Sequence, residues 1–155
     1  MTPPVSLLVA GVSAYLLGSI PTAYLVVHWL KRVDVRTVGS GNVGATNVTR
    51  AAGLGPGLAV FLLDLGKGLA SVLVLARWLI PPETLTPVAS LGCGLSAVLG
   101  HAFPVFLRFQ GGKGVATTIG VLLGTLPWIA GIWLLVWAGC FAFWAWLREG
   151  RSPFW

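Results

Sequence analysis

Long apolar runs, separated by short polar stretches, dominate the hydrophobicity pattern along the chain. A helix of about 20 apolar residues is long enough to cross the roughly 30 Å hydrocarbon core of a bilayer. The pattern therefore predicts five membrane-spanning segments, at residues 5–30, 57–80, 88–109, 115–126 and 128–147. We expect an all-α integral membrane protein, a helical bundle of about five spans that forms a single domain over residues 1–155.

Two of the predicted segments are unusual in length. Segment 5–30 is too long for the apolar part of a cleaved signal peptide, and no lysine or arginine precedes it, so we expect it to remain as a helix. Segment 115–126 provides only about 18 Å of helix at 1.5 Å per residue. It is either a short span whose ends the bundle buries or a re-entrant half-helix.

Charge predicts the orientation of the bundle. Of the 155 residues, 56% are hydrophobic and 9% charged, and the net charge is +6. The loop after the first span carries a net charge of +3, and the loop after the third span carries +2. Because cytoplasmic loops are enriched in lysine and arginine, we expect both loops inside and the N-terminus outside.

The first inside loop, residues 39–50, has the sequence GSGNVGATNVTR, which is rich in glycine and small polar residues. Backbone N–H groups of such turns, often leading into a helix N-terminus, hold phosphate oxygens. A helix that includes Asn47 and Arg50 would place both on one face, with a forked cation beside the loop. The alternative is an ordinary turn followed by a helix N-cap. The candidate phosphate ligands are Ser40, Gly41, Asn42, Gly44, Thr46, Asn47 and Arg50.

The second inside loop, residues 110–118, has the sequence QGGKGVATT and directly precedes the short fourth segment. A nucleotide-binding loop requires a glycine five residues before the Gly-Lys pair and a serine or threonine after the lysine. Leu107 and Gly114 occupy those positions, which argues against an ATPase. A lysine among glycines still favours phosphate binding. The candidate ligands are Gly111, Gly112, Lys113, Gly114 and Thr117.

Several reactive side chains lie inside the predicted spans. Asp64 and Lys67 share one helical face, either as a functional pair or as a structural neutralised pair. His101 either joins helices by hydrogen bonding or contacts substrate. We count Lys67 and His101 among the candidate substrate-binding residues. We interpret Cys93 and Cys140 as small buried hydrophobes, and we expect no metal site and no nucleic-acid partner.

Four motifs occur in order between residues 17 and 135: GSIPTAYLV, GSGNVGATNVTR, DLGKG and GHAFPVFLRFQGGKGVAT. This series closely resembles the bacterial acyl-phosphate-dependent glycerol-3-phosphate acyltransferases, which are integral membrane enzymes that begin phospholipid synthesis. The resemblance implies that Ser40, Asn42, Arg50 and the glycines with Lys113 line a cytoplasmic active site and hold phosphate groups. It also implies a multi-pass protein of the bacterial inner membrane.

Members of that family usually continue for two further spans and a cytoplasmic segment with a His-Arg…Asn-Ile pattern. We therefore expect this chain to be C-terminally truncated relative to the family.

The resemblance implies two substrates, acyl phosphate and glycerol 3-phosphate, together with membrane lipid, and no cofactor. The soluble enzyme that makes acyl phosphate would be a functional partner. We expect direct attack of the sn-1 hydroxyl on the acyl carbonyl, giving 1-acyl-glycerol 3-phosphate and phosphate, with Ser40, Arg50 and Lys113 as catalytic residues. The base is left open, and a substrate phosphate oxygen is one candidate. The alternatives are a transporter or channel for a phosphorylated anion, and an inactive fragment of the acyltransferase.

Overall fold

The structure, a computed structural model, describes the backbone of residues 2–149 and the side chains of these residues except 133, 134, 141 and 145–149. Every regular element in this range is helical. The α-helices are α1 (Pro3–Ser19), α2 (Thr22–Lys31), α3 (Ala45–Ala52), α4 (Leu54–Ala70), α5 (Ala76–Leu79), α6 (Pro87–Ala102), α7 (Val115–Thr125) and α8 (Pro127–Glu149). A π-helical segment, Ser71–Leu75, joins α4 to α5. Short 3-10 turns lie at Val35–Thr37 and Val105–Leu107.

Five apolar segments are present, as predicted. Four are long and apolar enough to cross a membrane: Pro3–Lys31, Leu54–Leu79, Pro87–Leu107 and Pro127–Trp144. The fourth predicted segment is the short helix α7, whose 11 residues give about 16 Å of helix. The all-helical membrane architecture is therefore confirmed, including the shortness of the fourth segment.

The first span is not the continuous helix expected over residues 5–30. It breaks between α1 and α2 at Ile20 and Pro21. Proline has no N–H to donate to the carbonyl four residues earlier, and its ring clashes with that carbonyl. Apolar character continues through the break, so the hydrophobicity pattern did not reveal it.

Glycines allow the closest helix contacts in the bundle. A Cβ on Gly18 would overlap the backbone carbonyl of Ala97, and one on Gly100 would overlap that of Tyr15, so α1 and α6 touch through their backbones. Gly68 and Gly120 serve the same purpose where α4 crosses α7. Small residues at crossing points are the usual means of helix association in membranes.

The predicted burial of the cysteines is right for one and wrong for the other. Cys93 is buried among α1, α6 and the π-helical segment, with its thiol directed at the carbonyls of Ala10 and Ser71. Cys140 is exposed, because α8 meets the described part of the bundle mainly through α7. Both thiols are free.

Candidate active site at the two glycine loops

The first glycine loop is folded around the side chain of Asn47, which is 2% exposed. Its Nδ2 donates to the carbonyls of Val35 at 3.1 Å and Val38 at 3.0 Å, and its Oδ1 accepts the N–H of Ser40 at 2.8 Å. Gly39 packs against this side chain. Its φ is +58°, and a Cβ on Gly39 would overlap Asn47 Oδ1. Asn47 is therefore the internal support of the loop, and its amide has its main hydrogen bonds within the protein.

The outer face of this loop holds the exposed candidates. Helix α3 begins at Ala45 with Gly44 at its N-cap, so the predicted helix after the glycines is present. Ser40, Thr46 and Arg50 are exposed, and Asn42 is half-buried. Asn47 and Arg50 share α3, but Asn47 points into the loop while Arg50 lies on the surface beside Thr46. The forked cation is thus available to a ligand, and Asn47 is not its neighbour on that surface.

The second glycine loop packs against His101. The N–H of Gly112 donates to the His101 carbonyl at 3.1 Å. A Cβ on Gly111 would overlap that carbonyl, and one on Gly112 would overlap the imidazole Nε2. Gly114, with φ of +74°, turns the chain into α7 and leaves Lys113 exposed. These glycines are needed because the loop backbone lies directly on the histidine.

The two glycine loops meet at one end of the bundle. A Cβ on Gly112 would lie 2.6 Å from the carbonyl oxygen of Val43, so the backbones of the two loops are in contact. Val43 in turn belongs to a small apolar core with Val35 and Val48. The exposed cations Arg50 and Lys113 therefore lie on two loops that are in direct contact.

A buried polar cluster lies beneath the loops. Asp64 is 1% exposed, and its Oδ1 lies 2.8 Å from Lys67 Nζ and 3.5 Å from His101 Nδ1, and it also accepts a hydrogen bond from the Thr22 hydroxyl. The predicted pair of Asp64 and Lys67 is thus an ion pair, with a histidine and a threonine attached. Sequence reasoning missed Thr22, although Pro21 within an apolar run was a signal for a helix break beside it.

Five of the predicted ligands are buried: Asn47, Lys67, His101, Gly114 and Thr117. Lys67 is 7% exposed and bonded within the protein, and Thr117 is wholly buried where α7 crosses α4 at Gly68. The surface candidates are Ser40, Gly41, Asn42, Gly44, Thr46, Arg50, Gly111, Gly112 and Lys113. Gly114 is buried at the start of α7.

A further cation of this end of the molecule is already paired. Arg36 Nη2 lies 2.6 Å from Asp34 Oδ2, and its guanidinium lies 5.9 Å from the ring centroid of Tyr24. The hydrogen bond from Arg36 lowers the pKa of the Asp34 carboxyl. Arg36 is therefore held beside the loop by its neighbours.

An open groove of about 380 Å³ runs between α3 and α4. Thr46, Thr49 and Arg50 form its polar end, and Leu54, Leu58 and Phe61 extend it along α4. Leu54 and Leu58 are largely exposed on a helix that is long and apolar enough to cross a membrane. The groove thus joins a cationic head to an apolar wall, which suits an anionic lipid.

Fold and site together define a membrane-embedded helical protein with two contacting glycine loops that carry the exposed cations Arg50 and Lys113. The chain belongs to the glycerol-3-phosphate acyltransferase family, which matches residues 8–151. It is 52% identical over 128 residues to the glycerol-3-phosphate acyltransferase of Myxococcus xanthus, covering 83% of this chain and 65% of the relative. The enzyme of that name from Gloeobacter violaceus is 48% identical over 130 residues, covering 84% of this chain and 63% of the relative.

Solved structures agree with this assignment. The crystal structure of PlsY, an integral membrane glycerol 3-phosphate acyltransferase, in its glycerol 3-phosphate form is similar with a TM-score of 0.77 and 46% identity. Its lysophosphatidic acid form gives a TM-score of 0.74. Each comparison covers 89% of this chain and 66% of the solved one. The chain therefore spans about two thirds of the length of its relatives.

Proposed function

We propose that the protein transfers an acyl group from acyl phosphate to the sn-1 hydroxyl of glycerol 3-phosphate. The products are 1-acyl-glycerol 3-phosphate and inorganic phosphate. The observation that carries this proposal is the contact between the two glycine loops, both of which are predicted from sequence to bind phosphate. Two such elements are what a reaction between two phosphate-bearing substrates requires. The family membership and the forms of the PlsY structure support acyl transfer to glycerol 3-phosphate.

In this proposal the exposed groups bind substrate and the buried ones hold them in place. Lys113 and the N–H groups around it bind one phosphate, and Ser40 and Asn42 bind the other. Arg50 stands at the polar end of the α3–α4 groove, where it grips the phosphate of the acyl donor while the acyl chain follows Leu58 and Phe61. Asn47, His101 and Thr117 support these groups.

The chemistry needs little beyond this arrangement. An acyl phosphate is a mixed anhydride and is already activated. The glycerol hydroxyl oxygen forms a bond to the acyl carbon, the bond from that carbon to the phosphate oxygen breaks, and the hydroxyl proton passes to a phosphate oxygen. The cations Arg50 and Lys113 stabilise the charge on the leaving phosphate, and they reduce the repulsion between the two substrates.

We place both glycine loops on the cytoplasmic side of a bacterial inner membrane, with the N-terminus outside. Net charges of +3 and +2 in the two loops favour this orientation. The contact between Val43 and Gly112 supports one part of this orientation, the location of both loops on the same side of the membrane. A soluble enzyme on that side would supply the acyl phosphate.

A transfer assay tests the function. The purified chain in lipid vesicles is incubated with labelled glycerol 3-phosphate and, in separate reactions, acyl phosphate or an acyl thioester, and lysophosphatidate is measured. We expect product with acyl phosphate. Lys113→Met should reduce kcat/KM at least about 100-fold through loss of a charge-assisted contact. Lys31→Met, which removes another exposed lysine, is the matched control and should keep its activity.

A second protein separates a wrong function from a site that needs further residues. A chimaera joins this chain to the part of the Myxococcus xanthus relative that lies outside the match. Acyl phosphate-dependent activity in the chimaera alone would mean that the loops are competent and that the site needs the added length. Absence of transfer from both proteins, with both correctly inserted, would contradict the proposal.

A further inference from the structure

The ammonium of Lys67 lies at the break between α1 and α2. Nζ is 3.1 Å from the carbonyl oxygen of Gly18, 2.9 Å from that of Ile20 and 2.8 Å from Asp64 Oδ1. A lysine ammonium has three N–H donors and no acceptor, so these three oxygens match its full donor capacity. Lys67 therefore has no donor left for a substrate phosphate.

The two carbonyls are available because the helix is interrupted. In a continuous helix the Gly18 carbonyl would accept the N–H of Thr22, but that N–H instead donates to Ile20 at 3.0 Å. Backbone carbonyls of an unwound span, together with a buried carboxylate, are the ligands that bind small monovalent cations inside membrane proteins. Here these ligands surround an ammonium that is tethered to α4.

The surroundings of this ammonium are polar as well as buried. A cavity of about 10 Å³, room for about one water molecule, is lined by Ser19, Lys67 and His101 among others. The Ser19 hydroxyl is buried and has no hydrogen-bond partner within the described residues. The Ser19 hydroxyl and Lys67 thus line the same small cavity.

We propose that Lys67 is a tethered cation that occupies a cation site formed by Gly18, Ile20 and Asp64, and that it positions the second glycine loop through Asp64 and His101. Asp64 faces the His101 imidazole, and the His101 carbonyl accepts the N–H of Gly112. Removing the cation leaves the Asp64 carboxylate buried without a counter-charge, which is costly inside a membrane bundle. The positioning half of this proposal rests on the proposed acyltransferase function, and the cation site does not.

Chemical rescue tests the cation site without any activity measurement. Lys67→Ala removes three methylenes and the ammonium, which is the volume and charge of n-propylammonium. We expect the variant to melt at a lower temperature than the wild type and to regain stability with increasing propylammonium, as a ligand of the folded state does. The wild type and Lys31→Ala should not respond.

Two controls define the rescuing property. Propan-1-ol has similar size but no charge and should not stabilise Lys67→Ala. Lys67→Met fills the space without a charge and should not respond to propylammonium. An equal response of the wild type and Lys67→Ala, or no response of Lys67→Ala, would overturn the cation site. If Lys67→Ala folds only when prepared in propylammonium, removing the amine should unfold it; a variant that fails to fold in both conditions also refutes the site.

The transfer assay tests the positioning role. We expect Lys67→Ala to lose at least about 10-fold in kcat/KM for glycerol 3-phosphate, and propylammonium should restore most of it at the concentrations that restore stability. Restored stability without restored activity, in a preparation whose wild type is active, would refute positioning by Lys67. An inactive wild type would count against the proposed function, while the melting experiment still decides the cation site.

Discussion

Replacing Asn47 tests how the first glycine loop keeps its shape. Asn47→Ala removes hydrogen bonds to Val35, Val38 and Ser40, at 3.1, 3.0 and 2.8 Å. Each bond contributes about 0.5–1.5 kcal/mol net, and the partners nearer the surface recover part of this by bonding water, so the loss should be about 2–3 kcal/mol. If the whole loss falls on the loop conformation that binds substrate, kcat/KM falls by up to about 100-fold.

Asn47→Asp separates hydrogen bonding from size. The carboxylate keeps the volume of the amide and still accepts the N–H of Ser40, but it places an acceptor against two carbonyl oxygens that the amide served as a donor. We therefore expect Asp to be at least as damaging as Ala, whereas a purely steric role predicts that Asp is mild. The control is Thr37→Ala, at an exposed residue just before the loop, whose change should cost less than about 0.5 kcal/mol.

The assays are denaturant unfolding, hydrogen exchange at the Ser40 amide, and steady-state transfer kinetics. Faster exchange at Ser40 together with a raised KM for glycerol 3-phosphate is the expected combination. Unchanged exchange and kinetics in Asn47→Ala would refute the view that this side chain supports the loop.

Three further predictions concern the cations, the loop contact and the orientation. Arg50→Lys should lose about 10- to 100-fold in kcat/KM, on the order of 1–3 kcal/mol, because lysine cannot bind two phosphate oxygens at once as arginine does. Wild-type kinetics in this variant would mean that Arg50 only marks the cytoplasmic side of the membrane. In Gly112→Ala the new Cβ overlaps His101 Nε2 and lies 2.6 Å from the Val43 carbonyl oxygen, so the second loop must shift by several tenths of an ångström away from both, and kcat/KM should fall about 100-fold. Gly66→Ala, whose Cβ meets nothing within 4 Å, should keep its activity. Single cysteines at Val38 and Gln110, in a chain without its two native cysteines, should be protected from an impermeant thiol reagent in intact cells, and labelling from outside would overturn the orientation.

The membrane spans and the glycine loops were predictable because each needs a characteristic amino-acid composition. A span must be long and apolar, so the four long segments were predictable from hydrophobicity alone. The two loops were predictable because an ordinary connecting loop does not need a cluster of glycines and small polar residues. The close helix contacts at Gly18 and Gly68 could not be located from the sequence, because the position of a crossing is a tertiary property.

What the sequence could not provide is the direction of a side chain and the identity of its distant partners. Asn47 and Arg50 are both polar and three residues apart, yet one supports the loop from within and the other faces outwards. Lys67 meets carbonyls 49 and 47 residues earlier in the chain, which local spacing does not reveal. The burial of Cys140 depended on what packs against α8, so its apolar surroundings were misleading.

Under the proposed function, the exposed cations bind phosphate and the buried cation positions the loop. In the proposed function, a cation that releases a phosphate in every catalytic cycle has to be solvated between turnovers, and Lys113 and Arg50 are exposed at the loops. A cation with all its donors used, such as Lys67, has a fixed position and is a poor ligand for a departing anion. In this proposal Lys67 holds the second loop in a fixed position, because its partner Asp64 contacts His101 and the His101 carbonyl accepts the N–H of Gly112. In this proposal the buried charge of Lys67 determines where the exposed charge of Lys113 is held.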